Sequence, residues 1–181
     1  DGGLITQTES RETFFSPKTG QFLSNKTTDE LVLTSRDGIR RKSLFRTYNI
    51  FSHPQISRDG RWVGVVVDHH DRGTSIVRVS TSEGQIEELL FTKRDYISDV
   101  SPSPDGSHMV YWSGACARCD KAVHVISVGS KEPLQVLSPK EASTTRMLPE
   151  WSADGTKLFF SSEREGYMRS IWSVTIPALT F

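Results

Sequence analysis

Long apolar runs are missing from this sequence. The richest one, Trp62 to Val67, holds six residues, against roughly twenty for a helix that crosses a bilayer, so no membrane insertion is expected. A surplus of either charge is missing too, since 22 Lys and Arg residues balance 22 Asp and Glu residues. Without a net field the chain has nothing to draw in a polyanion, and nucleic acid is not an expected partner. Cysteine is scarce, at two residues in 181, too few for a disulfide-built scaffold and silent on the redox compartment. No G-x-S-x-G is present, and Ser113-Gly114 and Ser130 read as loop residues with no base beside them, so serine hydrolysis has no support. The first residues carry no signal-peptide pattern, and Asp1 in place of Met fits a processed or excised chain. With a removed export signal, the expected compartment is periplasmic or extracellular, the cytoplasm being the alternative.

What the sequence does contain is a repeat. Pro149 to Val174 reads as a strand ending at Trp151, a turn at Ala153-Asp154-Gly155, a strand Lys157 to Ser161, a polar loop and a strand Arg169 to Val174. His53 to Thr92 is a second copy, with a turn at Arg58-Asp59-Gly60, an apolar strand Trp62 to Val67, and alternating strands Thr74 to Ser80 and Ile86 to Thr92. Ile97 to Ser138 is a third, turning at Pro104-Asp105-Gly106. A degenerate first unit covers about residues 9–47, with turns at Pro17 to Gly20 and at Arg36-Asp37-Gly38. Asp59, Asp105 and Asp154 are spaced 46 and 49 apart, and Gly20 precedes Gly60 by 40. A period of that length with four strands per unit is the mark of an all-β propeller. The expected organisation is one domain over residues 1–181, with units near 9–47, 53–92, 97–138 and 146–176.

The recurrent S-x-D-G ahead of an apolar strand resembles the TolB-type (WD40-like) propeller repeat. Its pattern, W-S-P-D-G, then F-x-S-x-R-x-G, then I-Y, is met by Trp151 to Gly155, Phe159 to Gly166 and Ile171-Trp172. Ser57 to Gly60 and Ser103 to Gly106 match its turn, whereas Lys18-Thr19 stand where the first unit would need the Asp. The resemblance covers residues 53–176 well. It implies a binding platform, an accessory domain of a serine peptidase, or a lyase, and does not choose among them.

The repeat has a physical logic. A blade is covered on both faces by its neighbours, so a middle strand can be apolar at successive positions, as in Val65-Val66-Val67. The glycine of each turn supplies positive φ, and the Ser and Asp side chains can bond the turn's own amides. Asp59, Gly60, Asp105, Gly106, Asp154 and Gly155 are therefore structural turn residues rather than paired catalytic carboxylates. The last unit supplies three strands, and Leu4 to Thr8 reads as a strand without a partner. Either that strand completes the last blade and closes a four-bladed ring, or the chain is an arc of a larger propeller.

Candidate chemistry lies in the loops. Cys116-Ala117-Arg118-Cys119 reads as a disulfide or a pair of structural thiols, then as part of a metal site, and last as a redox dithiol. A four-thiolate zinc site lacks its second pair, and His108 and His124 are expected to point apart. His69-His70-Asp71, in the matching loop of the second unit, reads as a solvated polar loop first and a metal site second. Arg94, Tyr96, Arg118, Arg164 and Tyr167 fall in or near inter-strand loops and are the residue types that anchor a protein partner. No catalytic set and no cofactor are expected. The leading reading is a non-enzymatic module that binds a protein or cell-envelope partner through loops on one rim. The alternatives are the propeller portion of a hydrolase or lyase and a structural subunit of a larger assembly or oligomer.

Overall fold

The computed structural model describes residues 13–16, 21–27, 30–46, 50, 54–69, 72–130, 132–142, 149–162 and 170–176. They form four antiparallel meanders, each in plain sequence order. Blade I holds β1 (Thr13–Ser16), β2 (Gln21–Thr27), β3 (Glu30–Ser35) and β4 (Arg41–Arg46). Blade II holds β5 (Gln55–Ile56), β6 (Trp62–Asp68), β7 (Thr74–Ser80) and β8 (Ile86–Thr92). Blade III holds β9 (Tyr96–Pro102), β10 (His108–Gly114), β11 (Lys121–Ser127) and β12 (Leu134–Leu137). A single helical turn, α1 (Pro139–Ala142), leads toward the three strands of blade IV: β13 (Glu150–Trp151), β14 (Lys157–Ser162) and β15 (Ser170–Thr175). The chain is thus an open arc of propeller blades, with no sheet shared between its ends among the described residues. Leu4 to Thr8, the strand expected to close a ring, lies outside those residues.

Period-two alternation sends successive side chains of each second strand to opposite neighbours. Val63, Val65 and Val67 of β6 bury with Leu31, Leu33 and Leu44 of blade I. Val66, on the other face, packs with Met109, Tyr111 and Ile97 of blade III. Val110 and Trp112, alternating with Met109 and Tyr111, bury with Leu158 and Phe160 of blade IV. A run that reads as continuously apolar is therefore two interleaved half-cores.

The Ser-Asp-Gly turn is built the same way each time. Ser57 Oγ donates to Asp59 Oδ1 (2.6 Å), Arg61 N donates to the same carboxylate oxygen (3.0 Å), and Trp62 N donates to Ser57 Oγ (3.0 Å). Ser103 with Asp105 and Ser152 with Asp154 repeat this set. A fourth copy joins Ser35 to Asp37 and closes β3 to β4 rather than the first hairpin of blade I. The glycines at 38, 60, 106 and 155 share φ of 75°, 75°, 72° and 73°. Sequence reading noted the Asp37-Gly38 turn but not that it is the same device displaced within its unit.

The turn between Leu137 and Glu150 also holds an element the strand reading did not anticipate. Ser138 caps α1, its amide and hydroxyl both donating to Glu141 Oε2 (2.9 and 2.8 Å). Ser-Pro-x-Glu is a capping box with proline at the first helical position. Ala142 then plugs into the core between blades III and IV.

Gly106 shows how tightly neighbouring turns fit. A Cβ there would sit 2.4 Å from Trp62 Cδ1 of blade II, at a φ of +72°, while Gly129 at +84° has nothing within 4 Å. Gly129→Ala is expected to cost only the left-handed strain, about 1 kcal/mol. Gly106→Ala adds a clash to that strain and is expected to cost about 2–5 kcal/mol, read by urea unfolding of the two variants side by side.

Candidate functional site

Because each blade is a meander, its turns fall alternately on two rims. One rim, the turn rim, carries the four Ser-Asp-Gly boxes. Its loops are tied to each other across blades: Asp59 N donates to Pro104 O (3.0 Å), and Arg78 donates to Gly106 O (3.1 Å) while lying 3.9 Å from the centre of the Trp62 ring. Arg78 is itself held by Glu87 (2.7 Å). Lys42 of blade I donates to the carbonyls of Thr81 (3.1 Å) and Ser82 in the β7–β8 turn. These contacts hold neighbouring blades of the arc together.

Their electrostatics agree with that role. Burial pushes the Asp105 carboxyl up, but donation from the Ser107 amide and the Ser103 and Ser107 hydroxyls outweighs it and lowers the pKa from 3.8 to about 2. Asp154 is also lowered to about 2, chiefly by the Ser152 hydroxyl and the Thr156 amide. Asp59 and Asp37 shift down as well, Asp59 against its burial.

The opposite rim, the loop rim, receives the β6–β7, β8–β9 and β10–β11 connections. It holds His69, Arg94, Tyr96, Cys116, Arg118 and Cys119, whereas His108 opens β10 beside the turn rim and His124 lies within β11. Arg94 and Arg118 are exposed, and Phe91, three residues before Arg94, is 44% exposed despite its size. Tyr96 opens β9, pairs in register with Gly114, and lies 5.3 Å from Lys121 Nζ across its ring. Burial and the carboxylates of Asp99 and Asp68 raise the Tyr96 pKa, keeping the phenol neutral. Cys116 and Cys119 are joined in a disulfide within the β10–β11 loop, so their sulfurs are occupied by each other. Arg164, Tyr167, His70 and Asp71 lie outside the described residues.

His69 does not stand alone. Its Nε2 is 2.9 Å from Ser75 Oγ, which donates to Glu88 Oε2 (2.7 Å), and its ring lies 6.0 Å from that of Phe91. Serine, not histidine, is the middle member, and Ser75 is fully buried, so the chain orients the His69 ring rather than activating a hydroxyl. Among the described residues no group of three or more His, Cys, Asp or Glu side chains is arranged to hold a metal ion.

One expectation needs correction. Ser113 and Gly114 end β10 rather than lying in a loop, and Ser113 Oγ does have an imidazole beside it, His124 Nδ1 at 3.1 Å. His124 stacks on Tyr111 at 5.5 Å, and burial lowers its pKa despite the opposing charge of Asp95. The signal was present in the period-two pattern: residues 111 and 113 share a face, and His124 pairs in register with Tyr111. His108 packs toward Trp151 of blade IV, so the two histidines do face opposite blades, as expected.

No family model matches the chain, and no curated protein matches it. Among solved structures it is similar to TolB from Acinetobacter baumannii, with 18% identity and a TM-score of 0.61 over 92% of this chain and 38% of that one. It is similar to the oligogalacturonate lyase of Vibrio parahaemolyticus, with 17% identity and a TM-score of 0.67 over 92% and 49%. An oligogalacturonate lyase in complex with manganese matches with 15% identity and a TM-score of 0.64 over 92% and 48%. The chain spans less than half the length of each of these proteins. Likeness at these identities shows the fold, which is that of the TolB-type β-propellers.

The depressed turn carboxylates predict an acid limb of stability. Their folded pKa lies below the unfolded 3.8, so their contribution is complete above that value and is lost as pH falls toward about 2. Melting temperature is expected to drop between pH 4 and 2, with a shallower drop for Asp105→Asn, whose side chain cannot take up the proton. Parallel pH curves for the two proteins would contradict this.

Proposed function

With the TolB-type propeller fold as the premise, we propose that the chain is a non-enzymatic module that binds a protein or cell-envelope partner through its loop rim. The observation that carries this reading is the division between the rims. On the turn rim the Ser-Asp boxes and Arg78 are bonded to that rim's own amides and carbonyls, with Arg36, Ile39, Arg40 and Arg58 exposed around them, whereas the loop rim sets an exposed aromatic ring, Phe91, on the same rim as exposed Arg94 and Arg118 and the Tyr96–Lys121 pair. Aromatic and arginine side chains on loops held by a rigid sheet are what protein recognition uses. Disulfide pairing of Cys116 with Cys119 supports placing the module in the periplasm or outside the cell. No described helix is long and apolar enough to cross a membrane.

A second reading, the propeller portion of a hydrolase or lyase, is favoured by the structural likeness to oligogalacturonate lyases. It requires catalytic groups beyond those the described residues bring together. Metal analysis of the purified chain tests it, since stoichiometric bound metal would move the assignment to that class.

The binding reading is tested by a photo-reactive amino acid installed singly at Arg94, Tyr96 or Arg118 and, as controls, at exposed Ile39 and Gln85 of the turn rim. Discrete cross-linked adducts from the loop-rim positions and none from the controls are expected in cells that make the protein natively. Adducts from both rims alike, or from the turn rim alone, would overturn the reading.

A further inference from the structure

At one place in the register, blades II, III and IV each turn a cross-strand pair toward the blade before them, and the three pairs differ in chemistry. Blade II offers Val65 opposite Val77, and blade IV offers Phe160 opposite Trp172. Both pairs are apolar and help fill the cores shared with blades I and III. Blade III offers Tyr111 opposite His124. Val65, Tyr111 and Phe160 each follow the Asp of their own Ser-Asp-Gly box by six residues, so the three places are equivalent. A polar, titratable pair stands where the other two joints are oil, and a buried polar group in such a place is kept at a cost.

His124 is half-buried there, stacked on Tyr111 at 5.5 Å, with Nδ1 3.1 Å from Ser113 Oγ. Nearer the turn rim, Met109 and Ile126 are fully buried with Val66 and Ile76 of blade II. The Met109 thioether lies against Gly64 of blade II, where an added Cβ would come within 3.0 Å of its sulfur. The charged groups around the imidazole come from several elements. Asp95, in the β8–β9 loop and accepting from Thr92 Oγ1 (3.4 Å), acts on both His124 and Tyr111. Asp68 ends β6 on the blade II face toward this joint, and Arg78 and Glu87 of that face are closed on each other near the turn rim. Asp99 lies in the bulge of β9 opposite Trp112, and β12 places neutral Gln135 opposite His124. Burial, then the charge of Asp95, raises the Tyr111 pKa, so its phenol stays neutral.

We propose that His124 makes the joint between blades II and III acid-sensitive, uptake of one proton on its imidazole loosening the contact of Tyr111 and Met109 with blade II. Burial holds the His124 pKa below its ordinary 6.5, by more than the Asp95 carboxylate raises it. The parted joint therefore takes up the proton more readily than the closed one. Its stability is complete above pH 6.5 and is lost as pH falls from there toward the folded value. Arg94 and Tyr96 flank Asp95, so a partner held through them would be released in acid. That consequence rests on the binding reading of the loop rim, whereas the joint itself does not.

Met109 reports the joint, because hydrogen peroxide can pass an oxygen to its thioether, giving the sulfoxide and water, only when the blades part. The test is the initial rate of Met109 oxidation in the full chain at pH 7.5 and 5.5, read by peptide mass spectrometry with far-ultraviolet circular dichroism as the folding control. The wild type is expected to oxidise Met109 several-fold faster at pH 5.5, and His124→Gln at nearly the same rate at both. His124→Val, which carries the residue blade II has in this place, is expected to be as flat and covers a glutamine variant that does not fold. His108→Gln, on the face toward blade IV, should keep the wild-type ratio. A wild-type rate indifferent to pH overturns the proposal. So does the wild-type ratio persisting in a folded His124 variant, or a response abolished by His108→Gln. No partner enters these rates, so their outcome is separate from that of the loop-rim cross-linking.

Discussion

A sheet whose second strand is apolar on both faces cannot satisfy itself. Val63 to Val67, Met109 to Trp112 and Leu158 to Phe160 each need a neighbour on either side, and fully burying one such side chain is worth about 1.5–3 kcal/mol. The rest follows from that requirement. Blades must stack, the strands must cross the stack in register, and their turns must collect on two rims. Stability of this kind is a sum of blade terms and nearest-neighbour interfaces.

Stacking also sets how the rims can be used. Turns brought within hydrogen-bond distance of one another, such as Asp59 against Pro104, must have all their polar groups satisfied locally, and the Ser-Asp box accomplishes this with one hydroxyl and one carboxylate per turn. Small turns of fixed geometry suit that job. The β6–β7, β8–β9 and β10–β11 connections of the other rim carry no Ser-Asp box. They carry the side chains with no internal task, together with the one covalent clasp, Cys116 to Cys119.

Much of this was legible in the sequence because a repeat states the same instruction several times. Three in-phase Asp-Gly turns located blades II, III and IV, and the valine run of β6 announced burial on both faces. Blade I was harder, since its Ser35-Asp37-Gly38 box closes the third and fourth strands and so falls out of phase with the others. The turn α1 was readable from Ser138-Pro139 and Glu141 but was masked by the expectation of strands. Pairings such as Ser113 with His124, or His69 with Ser75 and Glu88, depend on hairpin register. Register is decided by turn length and packing, which no single stretch of sequence displays.

The account makes the blades interdependent, and native-state hydrogen exchange of a Leu158→Ala variant tests that most directly. Leu158 belongs to blade IV but is buried with Val110, Val123 and Val125 of blade III. If stability resides in the interfaces, the truncation lowers amide protection in β14 and β15 and also in β10 and β11, with a smaller loss in β6 and β7. Loss of protection confined to blade IV, with β10 and β11 unchanged, would show that the blades are stable one by one and would contradict the account.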